Sequence, residues 1–229
     1  MFSIRQILLL FPIAVFSIGC GRSPFPRAGR FEPDPGDLLF QDLDCGPMCD
    51  AIEKVTTGCG GANFSHVGIA SKTADGDIVV IEAVSAGVKI TDLDAFLNRS
   101  SDGAGRPKVV VGRLKKRYRN LIAPAIEASL ELKGKPYDKV FAIDNDAYYC
   151  SELVYEAFLN ANGGKPVFQL KPMTFNDPDT GELFPVWKDY YTDLGAAVPQ
   201  GRPGLNPGGI SRSPALSIVH RYGRVSRGG

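Results

Sequence analysis

Tyr148-Tyr149-Cys150-Ser151-Glu152-Leu153-Val154-Tyr155-Glu156-Ala157-Phe158 is the stretch on which the fold turns. Leu153, Val154, Ala157 and Phe158 recur at helical spacing, which predicts a helix over 150–160, stopped by Gly163-Gly164. Cys150 then falls in the first turn. The N–H groups of a first turn have no partner within the helix, and the helix dipole is positive there, so a thiolate is favoured. The same N–H groups lie where an oxyanion can form. Taken alone, a Cys at such a position is more often a small buried hydrophobe. A nucleophilic reading needs a base within reach.

His66 is one of two His in the chain and sits in Ser65-His66-Val67-Gly68-Ile69, within a β-rich run over 65–71. A second β-rich run, 78–89, contains Ile81-Glu82-Ala83-Val84. A carboxylate inside an apolar strand needs a partner, because burying it alone is expensive. Ala74-Asp75-Gly76-Asp77 between the runs is a hairpin signal. A two-residue Asp75-Gly76 loop would turn Glu82 to the face opposite His66. A three-residue loop, Ala74 to Gly76 with Gly76 left-handed, pairs Thr73 with Asp77 and His66 with Val84. Glu82 then shares the His66 face on a diagonal. The three-residue loop, or an equivalent bulge, is the expectation.

Further out, a strand is predicted within 36–41 and another over 108–114. Helices are predicted over 50–57, 91–97, 120–133 and 186–194. Strands in the first half and helices in the second indicate one α+β domain. The chain has 229 residues, 44% hydrophobic and 22% charged, which excludes a disordered or fibrous body. Lys plus Arg number 26 and Asp plus Glu 25, so charge gives no case for a nucleic-acid partner. Two His exclude a His-rich metal centre, and no cofactor is expected.

Three segments together carry a resemblance: Gly36-Asp37-Leu38-Leu39-Phe40, Ser65-His66-Val67-Gly68-Ile69 and Tyr149-Cys150-Ser151-Glu152-Leu153-Val154. They resemble the YiiX/YaeF/YebB-like cysteine hydrolases, a circularly permuted papain-like branch of the NlpC-type superfamily related to lecithin–retinol acyltransferases. The order His66, Glu82, Cys150 matches that branch, in which His precedes Cys. The resemblance implies an antiparallel sheet or partial barrel packed against helices. It implies Cys150 as nucleophile, His66 as base and Glu82 as the orienting carboxylate. Tyr149 or Tyr148 is the candidate to supply or position an oxyanion donor. The expected activity is hydrolysis of an amide or ester bond, in a peptidoglycan stem peptide or a lipid or lipopeptide acyl group. The rivals are lipid acyl transfer, and a non-catalytic envelope binding module that retains the fold.

At the N-terminus, an apolar run from Ile7 to Ile18 ends in Ser17-Ile18-Gly19-Cys20. It resembles a lipoprotein signal over 1–19, with Cys20 as the lipid attachment site. The expected location is the outer membrane facing the periplasm, or secretion into the periplasm if Cys20 is incidental. Residues 20–35 read as a tether, 36–195 as the catalytic domain, and 196–229 as a Pro/Gly/Arg-rich extension that could act as a lid. Cys45, Cys49 and Cys59 with His66 give a spacing loosely like a zinc site. In an oxidising compartment a bridge between two of the three cysteines, Cys45 and Cys49 first, is favoured over metal.

Overall fold

The computed structural model describes residues 31–228. The signal segment, Cys20 and the tether as far as residue 30 lie outside the described residues. Eight strands and six α-helices are described. In the first half these are β1 (Leu38–Gln41), α1 (Pro47–Val55), β2 (His66–Lys72), β3 (Ile78–Val84), β4 (Gly87–Asp92), α2 (Leu93–Leu97) and β5 (Val109–Leu114). The second half holds α3 (Ile122–Glu131), α4 (Cys150–Ala161), β6 (Lys171–Pro172), α5 (Pro185–Leu194), β7 (Pro203–Gly204), α6 (Pro207–Ser211) and β8 (Leu216–Arg221).

Six strands form an antiparallel sheet in the order β4-β3-β2-β1-β5-β8. Its central strands are apolar on both faces because both are covered. Successive side chains of a strand point to opposite faces, and the two parities make two cores. Leu38, Phe40, Val67, Ile69 and Val110 join Val154, Ala157 and Phe158 of α4 on one face. Leu39, Ala70, Val80, Val109 and Val111 join Leu93, Phe96 and Leu97 of α2 on the other.

The β2–β3 hairpin has the expected register. Lys72 opposes Ile78 and Ile69 opposes Ile81. The Thr73 N–H donates to the Asp77 carbonyl at 2.9 Å, and Gly76 closes the loop at φ 91°. A loop of three residues, Ala74 to Gly76, therefore fixes which face Glu82 takes.

Three expectations need correction. The β-rich run 78–89 is two strands, β3 and β4, and the helix expected over 91–97 begins only at Leu93. Val88 and Thr91 are buried against the sheet, so that stretch belongs to an edge strand. The tether does not extend to residue 35. Phe31 stacks on His220 at 4.0 Å, and Asp34 pairs with Arg113 at 2.7 Å. The segment 196–229 is not an appendage either, since β8 is the sixth strand of the sheet, paired with β5. Its Leu216 is buried and Ile218 packs on the α4-side core, an alternation hidden behind the Gly- and Pro-rich residues before it.

Candidate active site

His66 is the first residue of β2 and is buried. Its Nε2 lies 2.7 Å from Oε2 of Glu82, which is fully buried. The diagonal works because Gly68 stands between them on the same face. A Cβ there would come within 2.4 Å of Val80 and 3.4 Å of the Glu82 Cβ. Glu82 holds further partners that the sequence did not announce. Thr91 Oγ1 donates to its Oε1 at 2.5 Å. The Arg99 guanidinium grips both carboxylate oxygens in a two-pronged pair, with Nη1 2.7 Å from Oε2. Arg99 follows α2 and lies over the Phe96 ring at 5.1 Å. Gln41, opposite His66 in β1, donates from Nε2 to the Phe96 carbonyl and ties α2 to the sheet beside the imidazole.

Cys150 is the first residue of α4, which packs against β2 and β3. The Ser151 hydroxyl lies 3.9 Å from its sulfur, and His66 and the Val67 N–H are close enough to act on the thiol electrostatically. With Nε2 held by Glu82, Nδ1 is the ring nitrogen left for a second partner. The Val67 N–H is available because the β2–β3 ladder ends at Ile69. Sulfur and imidazole, far apart in the chain, thus meet where the two strands separate.

The electrostatics follow from these contacts. Burial raises the Glu82 carboxyl, but Arg99, His66 and Thr91 outweigh it and hold the group down at about 2. Burial disfavours a charged His66, but its bonds and charge interactions with Cys150 and Glu82 raise it to about 9. Burial raises the Cys150 thiol, while His66, Ser151 and the Val67 N–H bring it below its ordinary value. A lowered thiol beside a raised imidazole is the combination suited to attack on a carbonyl carbon.

Cys150 opens onto a cavity of about 680 Å³. Its wall is mainly apolar and aromatic: Ile52 and Val55 of α1, Tyr118, Tyr137, Phe141, Phe168, Phe175 and Trp187. Tyr149 lines it too, and its hydroxyl accepts the Leu205 N–H at 3.2 Å, which leaves its own proton free to donate. Tyr148 does not line it. Its N–H is held by the Pro136 carbonyl, and its ring packs with Leu153 and Tyr137 beside β3. That half of the tyrosine expectation is corrected. Tyr137 takes a place in the wall that no sequence motif signalled. Residues 204–207, 209 and 210, from the segment considered as a lid, form part of the wall. Cys45 and Cys49 form a disulfide at the start of α1, and Cys59 is a free thiol. Among the described residues no group of three or more His, Cys, Asp or Glu side chains is placed to hold a metal ion.

The family described as permuted papain-like amidase enzymes, YaeF/YiiX, C92 family, matches residues 32–220, and the chain belongs to that family. The uncharacterized protein YiiX of Escherichia coli (strain K12) is 28% identical over 195 residues, covering 84% of this chain and 88% of that protein. The crystal structure of the metalloprotein YiiX from Escherichia coli O157:H7 aligns with a TM-score of 0.67 at 24% identity, over 85% of this chain and 100% of that one. It shares the fold. The α+β, permuted papain-like architecture expected from the three motifs is thereby borne out.

Proposed function

We propose that this member of the permuted papain-like amidases is a thiol hydrolase in which Cys150 attacks the carbonyl carbon of an amide. His66 holds the proton, and Glu82 fixes the imidazole through Nε2. A Cys150 thiol lowered by an imidazole that is itself bonded to a fully buried, Arg-clamped carboxylate carries the reading. In the first step an S–C bond forms and the carbonyl electrons move to oxygen. The oxyanion meets the free N–H groups of the first turn of α4, with the Tyr149 hydroxyl as a second donor. The C–N bond then breaks, and the amine leaves with the proton from His66. Water, deprotonated by His66, adds to the thioester, and the C–S bond breaks to release the acid. The sum is amide plus water giving carboxylic acid plus amine.

Of the two envelope substrates considered, the cavity favours the lipid or lipopeptide acyl group. A stem peptide is short and strongly polar, and such a ligand would leave an aromatic wall wet. The setting proposed is the periplasmic face of the outer membrane, with the chain held by lipid on Cys20. The lipobox-like Ser17 to Cys20 supports this, as does a disulfide, which persists in oxidising compartments.

The test uses a Cys59→Ser background and a thiol-directed acyl probe. Labelling should persist there, vanish in Cys150→Ala and fall steeply at pH 7 in His66→Ala. Undiminished labelling of Cys150→Ala would refute the nucleophile, and an inert Cys150 in the otherwise native protein would favour the binding module. Intact mass of the envelope-extracted protein tests the anchor, since a mature chain beginning at unmodified Cys20 contradicts it.

A further inference from the structure

The cavity beside Cys150 is not uniformly apolar. Two charged residues line it, Lys171 of β6 and Arg212 at the end of α6, and both are basic. Both are exposed, and neither is ion-paired to another described residue. No acidic side chain lines the wall among the described residues. The surface beside it continues the sign. Tyr118 of the wall belongs to the run Lys115-Lys116-Arg117-Tyr118-Arg119, and the Arg117 guanidinium lies 4.7 Å from its ring centre. Free cations over an apolar hollow are an arrangement for an amphiphile whose polar end is negative. A ligand with a cationic end would meet like charge there with no carboxylate to receive it.

The geometry points to an anionic N-acyl amino acid, or a lipopeptide ending in that chemistry, as the substrate class. The acyl chain lies along the aromatic wall, the amide at Cys150, and the carboxylate reaches Lys171 and Arg212. This rests on the thiol amidase reading and narrows it. Hydrolysis would follow the two steps given above and release a fatty acid and a free amino acid, with water the only co-reactant.

Two measurements test it. The first is binding of N-lauroyl-glutamate to the full-length Cys150→Ala protein by titration calorimetry, which does not depend on catalysis. Micromolar binding that weakens with added salt, and weakens about tenfold or more in Cys150→Ala/Lys171→Gln/Arg212→Gln, is expected. The second is turnover by the native protein of N-lauroyl-glutamate against N-lauroylethanolamine, which has no negative charge. The anionic substrate should lead in kcat/KM by about tenfold or more, and the lead should shrink towards one in Lys171→Gln/Arg212→Gln. Lengthening the chain from eight carbons should strengthen binding by up to about fourfold per methylene until the hollow is full. Equal or better use of the neutral amide overturns the inference, as does preference for a muropeptide. Binding without turnover overturns the substrate assignment, and Cys150 as nucleophile is then judged by the labelling test alone. A Cys150 that labels in a His66-dependent way in a protein that binds no anionic amphiphile likewise overturns the inference and leaves the thiol amidase reading standing.

Discussion

The Glu82–Arg99 pair makes a prediction of opposite signs. At an effective dielectric of about 20, opposite unit charges about 4 Å apart attract by about 4 kcal/mol. Glu82 touches the His66 ring at 2.7 Å, so its attraction for the imidazolium is of this order. Arg99 holds the carboxylate from its other side, roughly twice as far from the ring, and opposes by about half. Glu82→Gln removes the attraction and leaves the opposition. At 1.36 kcal/mol per pKa unit the ceiling is about 3 units. Arg99 is 26% exposed and will turn towards water, so a fall of about 2 units is expected, taking His66 from about 9 to about 7. The group proposed to protonate the leaving amine would then lose its proton near neutrality. Arg99→Gln should move the group the other way, up by about one unit, while the loosened carboxylate lowers kcat. Removing both charges should give a fall smaller than that of Glu82→Gln alone. The assay is the alkaline limb of kcat/KM against pH, which reports the free enzyme's essential acid. Because thiol and imidazole titrate together, the limb belongs to the pair. Both single variants moving the limb in one direction would refute this electrostatic account, as would a limb left near 9 in Glu82→Gln.

Other residues give independent tests. Glu152 is buried with Oε1 unpartnered, and burial lifts its carboxyl from 4.5 to about 9, so the folded state holds a proton the unfolded state releases between those values. Stability should therefore fall as pH rises through that window, and Glu152→Gln should flatten the melting temperature against pH and add about 2–3 kcal/mol at pH 7. Gly68→Ala sets a methyl 2.4 Å from Val80 and should cost about 1–3 kcal/mol in urea unfolding, with a larger fractional loss of activity because β3 carries Glu82. The Cys45–Cys49 bridge closes a short loop, so Cys45→Ser/Cys49→Ser should cost no more than about 2 kcal/mol by the same measurement and leave Cys150 reactive.

How much of this could be read from the residues depends on how local the determinant was. The face taken by Glu82 was legible because one glycine sets a hairpin loop, and loop length sets every register beyond it. Placing Cys150 at the head of a helix was legible from four apolar residues at helical spacing. Glu82 announced that it needed a partner, and His66 was named from the register. Arg99 was not named, because it reaches the carboxylate only after α2 has folded across the sheet, and nothing in its neighbours marks that path. Tyr148 and Tyr149 could not be told apart, since adjacent residues at a helix start point to different sides. β8 was obscured because Gly and Pro dominate the composition of its segment, whereas its six residues alternate as an ordinary edge strand.

In the proposed reactive state the buried site is a row of four alternating charges: thiolate, imidazolium, carboxylate, guanidinium. Burying any one alone would cost several kcal/mol. In sequence each neutralises its neighbour, and the last, Arg99, is the member that still reaches solvent. This order explains why a fully buried Glu82 stays ionised rather than taking a proton. It also explains why the thiol is lowered although burial alone would raise it. An arginine is suited to the end position because it stays charged at any working pH and binds both carboxylate oxygens at once, fixing the plane in which the imidazole must lie. Lysine at residue 99 would keep the charge and lose the plane. Arg99→Lys should accordingly hold the alkaline limb near 9 while kcat falls, which separates the orientation supplied by Arg99 from its electrostatics.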